Sequence, residues 1–253
     1  MENFALTVAS TTVEKGSLGL FFLGQAGFLF KTSEGKLLAV DPYLSDCCNR
    51  YFGFKRLMPR LLSADELSLD CLVATHAHYD HFDPDSVPSL LAGGRTAFFG
   101  ALDTKDECER LGLEDNLHFL AVGDTVTEAG FTLTALPCDH GEGTPYAIGI
   151  LIEAEGKRIA ILGDTCYRAD NFANKALQNL DVLILPINGA FGNLNEAEAA
   201  KAASVIRPRL TIPCHYWNFA EHGGNPNLFM QAMKETVPEL PFLLMRQGEA
   251  RKV

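Results

Sequence analysis

The sequence predicts an α/β fold in a single domain spanning residues 1–253, and three observations carry that expectation. Short apolar runs of strand length alternate with stretches of helical spacing along the whole chain. Acids and histidines recur where those runs end, the place where open α/β sheets present their ligands. A chain of 253 residues, 47% hydrophobic and 21% charged, supplies a substantial core, and no linker, low-complexity tract or short-period repeat interrupts it.

In chain order, residues 18–24 and 28–32 read as strands around Gly24-Gln25-Ala26-Gly27, and Ser33-Glu34-Gly35 turns into a third strand at 36–40. That meander ends in Asp41-Pro42. Asp41 reads either as a group that orients a neighbouring ligand loop or as a turn-starting aspartate before proline. Residues 49–60 interleave Arg50, Lys55, Arg56 and Arg60 with Tyr51, Phe52 and Phe54, which suits a substrate lid or a solvated loop whose aromatics cap the core. Ser63-Ala64-Asp65-Glu66 has capping-box spacing, so a short helix is expected before an apolar strand at 71–74. A helix at 85–91, a strand at 96–99, a helix at 103–111 closed by Gly112 and a strand at 117–120 follow. His118, alone on the last of these, reads as structural or exposed.

The second half opens with strands at 125–128 and 131–136 that reach Pro137-Cys138-Asp139-His140-Gly141. A hairpin, 147–153 and 158–162, delivers Gly163-Asp164-Thr165, where the glycine permits close backbone approach. A helix at 171–180, a buried strand at 182–186 and a helix at 196–206 capped by Asn195 lead to a strand at 210–214. That strand ends in His215-Tyr216-Trp217-Asn218. A helix at 227–235 and a strand at 242–245 complete the expectation, with the halves dividing at roughly 1–122 and 123–253.

The chemistry concentrates in Thr75-His76-Ala77-His78-Tyr79-Asp80-His81-Phe82-Asp83-Pro84, which holds three of the seven histidines. If the chain stays extended through Ala77, His76 and His78 point to one side, because side chains alternate along a strand. Asp80 and His81 then follow in the turn. Two imidazoles for one cation and a carboxylate with a third imidazole for another suit a borderline ion such as zinc. Such crowding of good ligands leaves charged and polar groups uncompensated unless a cation is present.

Composition excludes several classes of function. A formal net charge of −11 disfavours binding to nucleic acid, which depends on a basic surface. The start, Met1-Glu2-Asn3-Phe4-Ala5-Leu6, lacks the pattern of a secretory signal, and no apolar run spans a bilayer. Seven cysteines, an odd number with Cys47 and Cys48 adjacent, do not form a disulfide framework, so reduced thiols and a cytoplasmic location are expected. The partner expected is a small-molecule substrate, with no nucleic acid and no membrane; a homo-oligomer is left open.

The series His76-Ala77-His78-Tyr79-Asp80-His81, His140, Gly163-Asp164 and His215, with Asp41 before it, resembles the ligand set of the metallo-β-lactamase superfamily, in the same order. Within that superfamily, Leu23-Gly24-Gln25-Ala26-Gly27-Phe28, residues 40–45, Gly163-Asp164-Thr165-Cys166-Tyr167 and residues 212–219 resemble the L-ascorbate-6-phosphate lactonase-like branch. Cys166 stands where those enzymes carry a histidine. The resemblance implies an αββα four-layer sandwich, two mixed β-sheets flanked by helices, with the site along one edge. It implies His76, His78 and His140 on one ion, Asp80, His81 and His215 on the other, and Asp164 bridging, with Asp41 behind the histidine loop. The implied cofactors are two divalent metal ions, zinc or manganese, with iron also accommodated. The implied activity is metal-dependent hydrolysis of a lactone, an ester-like or a phosphorylated small molecule, by a hydroxide shared between the ions, with Asp80 and Asp164 as the catalytic carboxylates.

Cys166, Tyr167, Arg168, Asn188, Tyr216, Trp217, Asn218 and His222 are expected at or just beyond the ligand-bearing strand ends, where substrate groups are read or where ordinary loop packing occurs. Three other readings use the same fold. A phosphodiesterase or nuclease is disfavoured by net acidity, a flavodiiron-type redox protein by His78 where a glutamate is usual, and a non-catalytic scaffold by the intact ligand series.

Overall fold

The computed structural model describes residues 4–253; Met1, Glu2 and Asn3, at the start of the stretch read for a secretory signal, lie outside the described residues. Two mixed sheets face one another. The first is built from β1 (Gly19–Gly24), β2 (Gly27–Lys31), β3 (Leu37–Val40), β4 (Cys71–Ala74), β5 (Ala97–Ala101) and β6 (Leu117–Leu120), adjacent in that order. β1 to β3 form the antiparallel meander, and β3 to β6 run parallel. The second sheet repeats the scheme with β7 (Thr125–Glu128), β8 (Phe131–Pro137), β9 (Ile148–Ala154) and β10 (Lys157–Ile161) antiparallel, then β11 (Val182–Pro186) and β12 (Thr211–Cys214) parallel. A last strand, β13 (Ala250–Lys252), crosses back and pairs with β1.

Strand alternation explains why both faces of the first sheet are apolar. Leu20, Phe22, Phe28 and Phe30 point inward to meet Leu133, Ile150, Ile152 and Leu183 of the second sheet in one core. Phe21, Leu23, Leu29 and Leu72 point outward, where Phe4, Val8, Leu90 and Cys108 from short helices cover them. On the far side of the second sheet, α6 (Glu196–Ile206) packs Ala199, Ala200 and Ala203 against α7 (Pro226–Thr236), which contributes Phe229 and Met233. (Helices α1 to α5 are Phe4–Ser10, Cys47–Phe52, Val87–Leu91, Thr104–Arg110 and Ala169–Phe172.) The small alanine face lets α6 lie close, and Asn195 closes its start with a reciprocal capping box to Glu198. The order is helix, sheet, sheet, helix, the sandwich that the family resemblance implied. No helix among the described residues is long and apolar enough to cross a membrane.

Several local expectations are corrected. Residues 242–245 do not form a strand; Phe242 makes only an isolated bridge to Thr211, and the terminal strand is β13. The helix expected at 171–180 is broken into α5 and a 3-10 turn at Lys175–Leu177, because Asn174 caps the second piece through its side chain and ends the first. Ser63 and Glu66 do form a capping box, on a single 3-10 turn. The 49–60 segment begins with α2 rather than as loop. His118 is exposed and stacks on Phe99 at 5.1 Å.

Candidate metal centre

The site sits where the parallel strands of both sheets end. β4 runs into Thr75, and the loop after it carries His76, His78, Asp80 and His81. Two backbone hydrogen bonds fasten this edge across the halves: Ile148 N–H donates to Thr75 O at 3.0 Å, and His215 N–H donates to Gln25 O at 2.7 Å. Asp164 follows β10 through Gly163, whose φ is +66° and where an added Cβ would lie 2.7 Å from Ile148 O. Only glycine fits there, because the neighbouring strand β9 closes over that point and Thr75 of the first sheet lies 3.4 Å from it. Gln25, Asp41 and His215 adopt φ of 54°, 47° and 60°, left-handed backbone that is uncommon for non-glycine residues.

Seven side chains implied by the family resemblance converge. His76 Nε2 lies 3.0 Å from His78 Nδ1, and His140 Nε2 lies 3.2 Å from the same atom. His81 Nε2 is 3.3 Å from Asp164 Oδ1, and His215 Nε2 is 3.2 Å from both Asp80 Oδ2 and Asp164 Oδ2. Three groupings could each hold an ion: His76, His78 and His140; His76, His81 and Asp164; Asp80, His215 and His222. His222 therefore enters the cluster itself rather than only its surroundings. Nitrogen lone pairs so close together repel unless a proton or a cation lies between them, and Asp164 Oδ1 is buried with no hydrogen-bond partner among the described residues. The donor set, imidazole with carboxylate and no thiolate, fits a borderline divalent ion.

Charge within the protein alone points the same way. Burial would raise Asp80 and Asp164, but the facing His81 and His215 imidazoles outweigh it and hold both carboxyls well below the usual range. Burial opposes protonation of His81 and His215 too, yet Asp164 and Asp80 push His81 well up and His215 to about 9. Burial keeps His76 and His140 low, and burial with repulsion from His215 takes His222 to about 4. Two buried carboxylates thus hold positive charge at this point whether it comes from protons or from metal.

A supporting shell fixes the ligands. Asp41 accepts from Thr75 N–H at 2.8 Å and from Thr75 Oγ1 at 2.6 Å, and its Oδ2 lies 2.8 Å from His81 Nδ1, leaving Nε2 to face the site. The orienting reading of Asp41 has this geometry. Two members escaped sequence reasoning. Gln25 Nε2 donates to Asp80 Oδ2 at 2.8 Å and lies 3.1 Å from both His215 Nε2 and His222 Nδ1. Its place between two glycines was the available signal. Asp83, fully buried, accepts from Leu44 N–H, Ser45 N–H and the hydroxyls of Ser45 and Ser86, tying the loop's end to the chain before α2.

The cluster opens into a cavity of about 320 Å³ lined also by His222, whose wall includes Cys48, Phe52, Phe54, Tyr79 and Phe191. Of the residues expected to meet substrate, His222 alone lines it. Tyr167 packs edge-on against Phe172 beneath Lys201. Arg168 pairs with Asp139 in a neighbouring depression beside His140. Cys166 is half-buried and donates its backbone N–H to Asp139 O, while Asn188 and Asn218 are buried outside the wall. Tyr216 is buried, its hydroxyl donating to Met245 O, and Trp217 lies exposed against it. In the turn after β12 the backbone is left-handed at both His215 and Trp217, on either side of the buried Tyr216.

Two mixed sheets in a helix-flanked sandwich, with a histidine and aspartate cluster at the strand ends of one edge, define the metallo-β-lactamase fold. Residues 19–215 match the family described as "Beta-lactamase superfamily domain", and the chain belongs to that family. A protein from Polynucleobacter asymbioticus named "UPF0173 metal-dependent hydrolase" is 26% identical, covering 93% of this chain and 86% of its own. One of the same name from Methanopyrus kandleri is 28% identical, covering 90% and 97%. Among solved structures, Igni18, described as a metallo hydrolase from Ignicoccus hospitalis, superposes with a TM-score of 0.73 at 23% identity over 94% of this chain and 98% of its own.

Proposed function

We propose that the protein is a metal-dependent hydrolase of a small molecule carrying a lactone, ester-like or phosphorylated group, active in the cytoplasm. The observation that carries this reading is the convergence of five imidazoles and two carboxylates, 3.0–3.8 Å apart, at the floor of a small-molecule cavity. The names of the relatives support it, and seven free cysteines support a reducing compartment.

His76, His78 and His140 would hold one divalent ion, Asp80, His81 and His215 a second, and Asp164 would bridge. His222 stands ready beside the second set. Divalent ions in such a site, when bound, supply a hydroxide nucleophile near neutral pH and positive charge against a developing oxyanion. The protein's own part is to position and to shield. Asp41 fixes the His81 ring, and Gln25 fixes Asp80 by donating to one oxygen, leaving the other free to take a proton from the attacking water and pass it to the leaving group. Phe52, Phe54 and Phe191 narrow access of bulk water.

Elemental analysis of the purified protein, with turnover assays on lactone, ester, phosphomonoester and phosphodiester panels, tests the reading. Bound zinc, manganese or iron with metal-stimulated hydrolysis is expected. Absence of both metal and turnover would sink it.

A further inference from the structure

The substrate class is written in the wall above the metal floor. We infer that the reacting molecule is an uncharged carboxylic ester or lactone bearing an apolar acyl or aryl group, with no phosphate; the inference rests on the hydrolase reading of the same site.

Residues from both halves of the chain build that wall. Phe52 and Phe54 come from α2 and its end, and Phe191 from the loop after β11. Their rings form a continuous surface: Phe52 to Phe54 at 6.1 Å, Phe54 to Phe191 at 6.0 Å, and both Phe54 and Phe191 edge-on to His222 at 5.7 and 5.3 Å. Phe52 joins Tyr79 at 5.7 Å on the other side. Phe52 and Phe191 nevertheless remain 57% and 59% exposed. Large aromatic rings left in water from two separated segments at one cavity mouth are an unfilled apolar surface, and an apolar ligand would cover it.

Charge argues in the same direction. No lysine or arginine lines the cavity among the described residues, and apart from imidazoles its charged groups are Asp80 and Asp164. The nearby guanidiniums are engaged elsewhere. Arg50 pairs with Asp85, Arg56 donates to the carbonyls of Tyr43 and Ser45, Arg110 pairs with Glu107 behind Tyr79, and Arg168 pairs with Asp139. A phosphate on the substrate would give up its water against phenyl rings with no fork of donors to replace it. A reacting phosphoryl group would spread charge over three oxygens, and the side chains facing it carry no guanidinium or ammonium. A carbonyl develops one oxyanion, which the floor can meet. In that reaction the water oxygen bonds to the acyl carbon and the carbon–oxygen bond to the alcohol breaks. The water's proton goes by way of Asp80 to the departing alkoxide, giving a carboxylic acid and an alcohol.

The test uses protein loaded with zinc or manganese. Turnover of p-nitrophenyl acetate, butyrate and hexanoate is compared with p-nitrophenyl phosphate, bis(p-nitrophenyl) phosphate, and matched lactones with and without a phosphate. kcat/KM is expected to rise with acyl length, by up to about fourfold per methylene buried, and to favour the unphosphorylated lactone. In Phe52→Ala/Phe191→Ala the hexanoate-to-acetate ratio is expected to fall toward one at unchanged metal content. Both rings are more than half exposed, so the variant retains its core. A flat chain-length profile, or faster turnover of any phosphorylated member, would overturn the substrate class and leave the hydrolase standing. No turnover of any member by metal-loaded protein would overturn both.

Discussion

The floor and the wall of the cavity are built on opposite principles. Floor residues other than the exposed His78 are buried, and several are over-determined: His81 is held at one ring nitrogen by Asp41 while the other faces Asp164, and Asp80 receives a hydrogen bond from Gln25. Wall residues touch mainly one another, through weak edge and tilted ring contacts, and two of them stand half in water. A group that must hold a cation at fixed distances needs its rotamer locked by neighbours, whereas a surface that sorts apolar shapes needs only area. Substitutions should therefore be severe and all-or-none on the floor and graded on the wall.

The largest effect expected is from Asp164→Ala. It removes the carboxylate between the two histidine groups, so metal content should fall and turnover drop by roughly 10³-fold or more, as several kcal/mol of charge stabilisation disappear. Elemental analysis beside kcat measures both, and an unchanged metal content would refute the bridging role. Asp41→Asn comes next. It keeps the shape but weakens the grip on His81, and metal affinity should fall by about 10–100-fold in chelator competition. Wild-type affinity in that variant would return Asp41 to a mere turn residue.

Acidity separates floor from wall in a third way. In metal-free protein, His76, His140 and His222 have lowered pKa values, the last about 4, so the stability they contribute is present above the ordinary imidazole range and lost as pH falls below about 6.5. His81 and His215 are raised, so their contribution is full below about 6.5 and lost as pH rises above that range, for His215 through about 9. Urea midpoints of chelator-treated protein should peak near about pH 6.5 and fall on both sides. Saturating metal should flatten the alkaline limb, because bound imidazoles are already neutral. A monotonic profile without metal would contradict the opposed shifts. Smallest of all is the cost of Phe52→Ala to folding, expected within about 0.5 kcal/mol because the ring is 57% exposed. A larger loss in denaturant titration would make the wall a piece of core.

Much of the site is legible in the sequence. His76, His78, Asp80 and His81 lie in one loop, and Asp164 and His215 each follow an apolar run, so the strand ends that carry them could be read locally. The family resemblance supplied their grouping. Helix α6 was equally plain, since cap, alanine face and length are all local. Where the reading slipped, a long-range contact or a short-range competitor was responsible. Residues 242–245 are apolar enough for a strand, but they lie against the edge strand β12 and pair there only through the bridge from Phe242 to Thr211, while the terminal strand forms beside β1 at Ala250–Lys252. The aromatics of the 49–60 segment were visible, yet which way they faced depended on α2 and on Phe191 from the other half.

The sequence by itself determined the donor chemistry, because residue type sets which cation a cluster prefers, and it determined the strand ends, because the periodicity of apolar runs is a local property. Tertiary structure alone decided that Gln25 and His222 join the floor, that Arg168 turns to Asp139 and away from the cavity, and that Phe52 and Phe191 close a wall from separate segments. Each of those outcomes depends on contacts between segments far apart in the chain, and no window of neighbouring residues contains that information.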